Sequence, residues 1–327
     1  MKNITFKYSN RVHNLFFLFL TCSLIGFSYI GISLTEKSTN IFCLFLILTV
    51  GTSHGSLDNW KGNKIVKAYK IKEGYIFYLT YVLIAIFIAT LWLLAPSFTL
   101  IFFLVIASYH FGKEDSYIYY PLREQTRPIL IHKKLDNLGF ILKGSIVVLA
   151  PLALHFEETL NIFEILFVDN INFLNILIYF DENNIFKTAF TVSAVFGLSW
   201  FIETACIAAL NYFFSPIVAF TVYFCFLHSV RHTVSLIVDL ENEKEKVEKK
   251  LRKWTQINKS NIKMFIKKSL PLTLITAVIF IFGVFLLTSY YGINDSILKV
   301  IFIGLASLTF PHILLEYLLE KNGKQRN

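Results

Sequence analysis

Charge, cysteine, glycine and proline are all scarce in this 327-residue chain. Charged residues make up only 16% of it, against about 25% in an ordinary soluble domain. Hydrophobic residues reach 55% and phenylalanine alone occurs 34 times. A water-soluble globule could not hide that much apolar surface, so a soluble enzyme and a disordered chain are both excluded. With 14 glycines, 7 prolines and 4 cysteines, collagen-like and disulfide-scaffold classes fail as well. Cys22, Cys43, Cys206 and Cys225 each fall inside an apolar run and form no Cys-x-x-Cys pair. They read as small core hydrophobes rather than a redox centre.

Long apolar runs are what the chain does have, and they point to an all-α, polytopic transmembrane bundle. A span needs roughly 20 apolar residues. Candidates are 12–34, 40–57, 74–95, 97–113, 137–156, 185–210, 213–238, 269–291 and 296–319. Segment 157–184 is different: two short apolar pieces are separated by Asp169, Asn170 and Asn172. It lies in the interface, re-enters, or crosses as a broken helix. Residues 239–268 form a charge-rich linker, read as a solvated or headgroup-level helix. All else, 1–327, reads as one membrane domain. The first run follows Lys2, Lys7 and Arg11 but is too long for a signal-peptide core and shows no small-x-small cleavage site, so it is a retained span.

The net charge of +9 is gathered in loops, which bears on membrane orientation and not on nucleic acid. The N-terminus, 58–73 and 113–136 are basic, whereas 157–184 carries Glu157, Glu158, Glu164, Asp169, Asp181 and Glu182. The positive-inside rule puts the basic loops in the cytoplasm and the acidic segment outside. Linker 239–268 has ten Lys and Arg and belongs inside, yet nine crossings would put it outside. An even number of crossings between 136 and 239 resolves this. The expectation is eight to ten spans in the cell (inner) membrane, with both termini cytoplasmic.

Five of the eight histidines lie in or at the ends of apolar segments: His54, His110, His228, His232 and His312. An ionisable residue at membrane depth is costly and marks function by default. His228 and His232 are four apart, so on a helix both imidazoles share one face, as in helical metal sites. The other three each have a carboxylate four residues later: Asp58, Glu114 and Glu316. One turn below its histidine, such a carboxylate would fix the tautomer and leave the other nitrogen for a metal. The competing reading is that these acids mark helix ends at the headgroups. With an even crossing number, all five histidines fall in one cytoplasmic-side layer. An all-imidazole set suits Fe(II), Zn or Cu, and spacing does not choose among them. His13 and His132 read as surface residues and His155 as an interface residue. Arg231 snorkels or pairs with Asp239, and Glu203 is a buried-acid candidate.

These motifs carry a resemblance. His54-Gly55-Ser56-Leu57-Asp58, Ser108-Tyr109-His110-Phe111-Gly112-Lys113-Glu114-Asp115, Phe226-Leu227-His228-Ser229-Val230-Arg231-His232 and Pro311-His312 resemble, in order, motifs of the Brp/Blh family, over about residues 14 to 320. Its members are bacterial and archaeal membrane β-carotene 15,15'-dioxygenases. The resemblance implies cleavage of the central double bond of β-carotene by dioxygen, giving two all-trans-retinal molecules that serve a microbial rhodopsin. It also implies an Fe(2+) cofactor, with His54, His110, His228 and His232 as metal ligands and catalytic residues. His312 matches a late Pro-His motif, as a fifth ligand, a group orienting a ligand, or a cavity wall. Lys113 departs from the family pattern, where an acid or small residue is expected, and linker 239–268 is long for the family.

β-Carotene is about as long as a bilayer core is thick, ~30 Å, and has no polar handle. Its affinity must come from buried apolar area, hence a tunnel lined by Phe, Tyr, Leu and Ile, with Tyr109 a candidate wall. Cavity depth would then place the central bond at the metal. No nucleophile or general base is needed, and no Ser-His-Asp or Cys-His arrangement is present. Two other classes stay open. A membrane carotenoid or lipid hydroxylase or desaturase would need more histidines than one HxxxH and no HxxHH supply. A metal-ion transporter would show polar residues along a whole pathway, and a non-catalytic retinal- or metal-binding membrane protein would bind retinal without needing oxygen.

Overall fold

The computed structural model describes residues 5–8, 10–31, 35–116, 129–196, 201–245 and 255–325. It is a helical bundle. Helices α1 (Asn10–Tyr29) and α2 (Glu36–Thr49) come first, and a 3-10 turn, Gly51–His54, follows α2. Then come α3 (Asp58–Ala68), α4 (Tyr75–Leu94), α5 (Pro96–Ser116) and α6 (Ile129–Leu154). Four short helices follow: α7 (Phe156–Ile165), α8 (Ile171–Glu182), α9 (Ile185–Phe196) and α10 (Phe201–Phe213). Next, α11 (Pro216–Val222) runs through a π-helical turn, Tyr223–Ser229, into α12 (Val230–Glu245). A long stretch, α13 (Lys259–Gln325), ends the chain. The starts are chemically marked. The Thr35 hydroxyl accepts from Ser38 N at 3.3 Å to cap α2, Asn170 caps α8, and Pro96 and Pro216 occupy first-turn positions where no N–H is required.

Six of the described helices are long and apolar enough to cross a membrane, fewer than the eight to ten spans expected. The differences have physical causes. Run 185–210 breaks into the short α9 and α10, and segment 157–184 folds as α7 and α8, of 10 and 12 residues, each too short to span. The last two runs are one of the six, yet Gly292 breaks them at φ 71°, a conformation that costs an L-residue with a Cβ. The two limbs fold back on each other, since Phe280 lies against Gly304 and Val300 against Gly283. Outward-facing side chains are apolar, such as Phe19, Leu94 and Phe285, each more than 70% exposed, as suits lipid rather than water.

Two features were not expected. β1 (Thr5–Tyr8) pairs antiparallel with β2 (Thr255–Asn258), so linker 239–268 is not one helix: α12 ends at Glu245, 246–254 lie outside the described residues, and β2 follows. This ribbon keeps the N-terminal segment and the linker on one side of the bundle. The even crossing number inferred from loop charge requires the same. Second, α5 and α6 meet backbone to backbone. A Cβ on Gly112 would overlap the Phe140 carbonyl, and one on Gly144 the Ser108 carbonyl. Small residues allow such approach between membrane helices, and here they hold the His110 end of α5 in place. Cys43, Cys206 and Cys225 are buried and Cys22 is exposed.

Candidate metal centre

The histidines of three segments converge. His110 near the end of α5, His228 in the π turn, His232 on α12 and His312 on the second limb of α13 are all buried. Neighbouring ring centroids are 5.5 Å apart for His228–His110, 5.5 Å for His110–His312 and 5.7 Å for His312–His232. His54 ends the 3-10 turn beside this layer, since a Cβ on neighbouring Gly55 would stand 4.0 Å from His312 Nδ1. The side chain of His54 lies outside the described residues.

Each of three imidazoles is held by its own carboxylate. A carboxylate only accepts, so Nδ1 donates: His228 to Asp115 at 3.1 Å, His232 to Glu114 at 3.1 Å, and His312 to Asp58 at 2.9 Å. Asp58 and Asp115 each take a second, phenolic donor, Tyr81 at 2.8 Å and Tyr223 at 2.7 Å. The tautomer is thereby set, and Nε2 is the metal-capable nitrogen. The Nε2 atoms of His110, His228 and His312 are buried. Glu316 forms an ion pair with Lys61, whose ammonium is 3.4 Å from His232 Nε2. One ligand atom from each of His232, His312 and Glu316 lies within 4.8 Å of the others, close enough for one ion.

The carboxylates are therefore matched differently from the sequence expectation. Asp58, Glu114 and Glu316 do not simply brace the histidine one turn before. Asp58 serves His312, Glu114 serves His232, and Glu316 pairs with Lys61. Spacing along one helix cannot reveal such links between helices. Asp115 was not singled out, although it adjoins Glu114; consecutive residues on α5 grip both members of the His228/His232 pair. The π turn explains how. Its i→i+5 spacing sets Tyr223 one turn from His228, and both reach Asp115. Tyr109 packs edge-on against Phe140 at 6.2 Å and lines neither of the two cavities described below.

Behind Asp115 sits a buried ionic cluster. Arg231 donates to Glu203 at 2.7 Å and to the Asp115 carbonyl at 3.3 Å, and also pairs with Asn14. Lys143 bonds the same carbonyl at 3.0 Å and lies 3.2 Å from Glu203. Arg231 thus turns inward to Glu203; the Asp239 side chain lies outside the described residues. His13, expected at the surface, is buried, because this face of α1 packs towards α10. His155 sits 3.5 Å from Glu158 at the far end of the bundle. The side chain of His132 lies outside the described residues.

Two cavities flank the histidines. One is apolar and meets them through Phe111 and Tyr223, whose rings lie 4.9 and 6.3 Å from that of His228. The other is lined by His312 itself with Tyr81, Phe224, Thr276 and Leu308. The arrangement suits a first-row transition metal: several imidazoles, a nearby carboxylate and an apolar surround.

A family model described as Beta-carotene 15,15'-dioxygenase matches residues 45–320. The curated Beta-carotene 15,15'-dioxygenase of uncultured marine bacterium 66A03 is 28% identical over 278 residues, covering 83% of this chain and 90% of that protein. No solved structure matches.

Proposed function

The chain belongs to the beta-carotene 15,15'-dioxygenase family, a family of oxidoreductases, and from that premise we propose that it cleaves the central double bond of β-carotene, with dioxygen, to two molecules of all-trans-retinal. The observation that carries this reading is the set of carboxylate-held histidines between two cavities, one of them apolar. Ferrous iron is the proposed cofactor, and when bound it supplies the activation of dioxygen. His54, His110, His228 and His232 are the proposed ligands. His312, with Nδ1 held by Asp58 as those of His228 and His232 are held by Asp115 and Glu114, supports a fifth place in that set. Glu316 lies close enough to join it.

The protein's own task is placement. Asp58, Glu114 and Asp115 hold Nδ1 of their histidines, so each ring presents Nε2 in a fixed direction without reorganising. The apolar cavity holds a hydrocarbon that has no polar group, through buried area alone, and keeps water from the reacting bond. No general acid or base is assigned. We place the protein in the cell membrane with both ends in the cytoplasm, supported by the basic loops and by the β1–β2 ribbon, and the retinal is passed to a microbial rhodopsin.

The test is expression in cells that accumulate β-carotene, with chromatography for retinal, beside a His232→Ala variant. The expected result is bleaching with two retinals formed per carotene, lost in the variant. Retained colour with no retinal, while wild-type protein is folded in the membrane, would overturn the reading.

A further inference from the structure

The apolar cavity is stopped at its outer end. From Phe111, at the histidines, to Leu100, near the far end, its α5 wall runs eleven residues, about 16 Å at 1.5 Å per residue. The far end is formed by Trp92 of α4 together with Thr159, Ile162, Phe163 and Leu166 of the short helix α7 and its end. Trp92 is fully buried, and its indole N–H donates to the Leu166 carbonyl at 2.9 Å. Lys299 fastens the same segment from the second limb of α13, bonding the Ile165 carbonyl with its ammonium 3.6 Å from the Phe167 ring centroid. The first part of segment 157–184, from Thr159 to Leu166, thus closes one end of the cavity.

The two cavities approach the cluster from different sides, one through Phe111 and Tyr223, which pack on His228, the other at His312 itself, with His110 between the two histidines at 5.5 Å from each ring. A linear substrate cut at its midpoint needs this plan, one arm in each cavity. Half of a molecule as long as a ~30 Å bilayer core is about 15 Å, which matches the length of the apolar tube.

We propose that Trp92, locked to Leu166, is the depth stop that decides which double bond of the polyene reaches the histidines. This rests on the carotenoid-cleaving reading above and adds to it the residue that sets the position of the cut. Trp92 touches neither the metal ligands nor the reacting bond; it acts by arresting the far end of the chain.

The experiment uses the full chain in β-carotene-accumulating cells, with all carbonyl products separated. Trp92→Ala and the milder Trp92→Phe deepen the cavity, and the wild type is run in parallel. The expected result is continued cleavage with a new pair of unequal carbonyl fragments, aldehyde or methyl ketone according to the bond cut, one longer and one shorter than retinal. Their ratio to retinal should rise on the order of 100-fold, the scale on which ångström-sized displacement of a reacting atom changes rate. Trp92→Phe, which shortens the stop and removes its bond to the Leu166 carbonyl, decides the matter should Trp92→Ala not accumulate in the membrane. Retinal alone from the deepened variants, at any rate, overturns the proposal. So does loss of all cleavage in variants that keep wild-type membrane level and iron content. A wild type that makes no retinal instead sinks the underlying reading.

Discussion

Truncating the carboxylates that hold the imidazoles should weaken metal binding in a graded order. Asp115 and Asp58 are almost wholly buried, and each accepts from one histidine and one tyrosine. Glu114 accepts from His232 and its side chain is 15% exposed. A hydrogen bond to a buried charged group contributes about 1.5–3 kcal/mol, and about 1.4 kcal/mol is a factor of ten. Removing the acceptor should therefore weaken iron binding about 10- to 100-fold, the range found when partners of ligating histidines are lost. Asp115→Ala and Asp58→Ala should lie at the upper end, and Glu114→Ala, where water can replace the carboxylate, at the lower. The amides Asp115→Asn and Asp58→Asn keep a neutral acceptor, which is roughly half as strong, so they should lose about three- to tenfold. The assay is competition between purified protein and a chromogenic ferrous chelator. Asp58→Ala also reports on His312: a loss equal to that of Asp115→Ala is expected of a ligand. Three folded alanine variants that bind iron within about twofold of wild type would refute the reasoning.

Chelation of the purified protein should abolish retinal formation, and added Fe(II) should restore it, as product chromatography would show. Gly112→Ala should lose most activity and thermal stability, because the new methyl group overlaps the Phe140 carbonyl, whereas Gly139→Ala, with nothing within 4 Å, should be neutral in the same melting assay. Gly292→Ala forces a residue with a Cβ to φ 71° and should lower stability by about 1–2 kcal/mol without changing the products. Lys61→Met leaves Glu316 without its cation, and chelator competition should show altered iron affinity if Glu316 joins the site; unchanged affinity would limit Glu316 to pairing with Lys61.

The histidines were legible in the sequence because a titratable ring in an apolar run has few innocent explanations, and His228 and His232 share a helical spacing. Depth added His312 to the same layer. The carboxylates were legible as residues but not as partners, since an i+4 rule describes one helix while Asp58 and His312 are 254 positions apart. Asp115 stood at the start of an apparent loop, where an acid draws no notice; only the extension of α5 to Ser116 brings it inside. Regular helical periodicity hid the π turn. Helices α9 and α10 were read as the single run 185–210 because apolar residues follow one another through it, whereas the two short apolar pieces of 157–184 already stood apart in the sequence and correspond to α7 and α8.

The bond between Asp58 and His312 also has a meaning in time. A chain emerges from its N-terminus at about 5–20 residues per second, so the 254 positions between them take roughly 13–50 s to make. Throughout that interval Asp58 has no His312 to hold, and β1 waits almost as long for β2. A nascent or truncated chain therefore carries the layer of His110, His228 and His232 without the ring that packs against two of them and without the bond that holds it to Asp58.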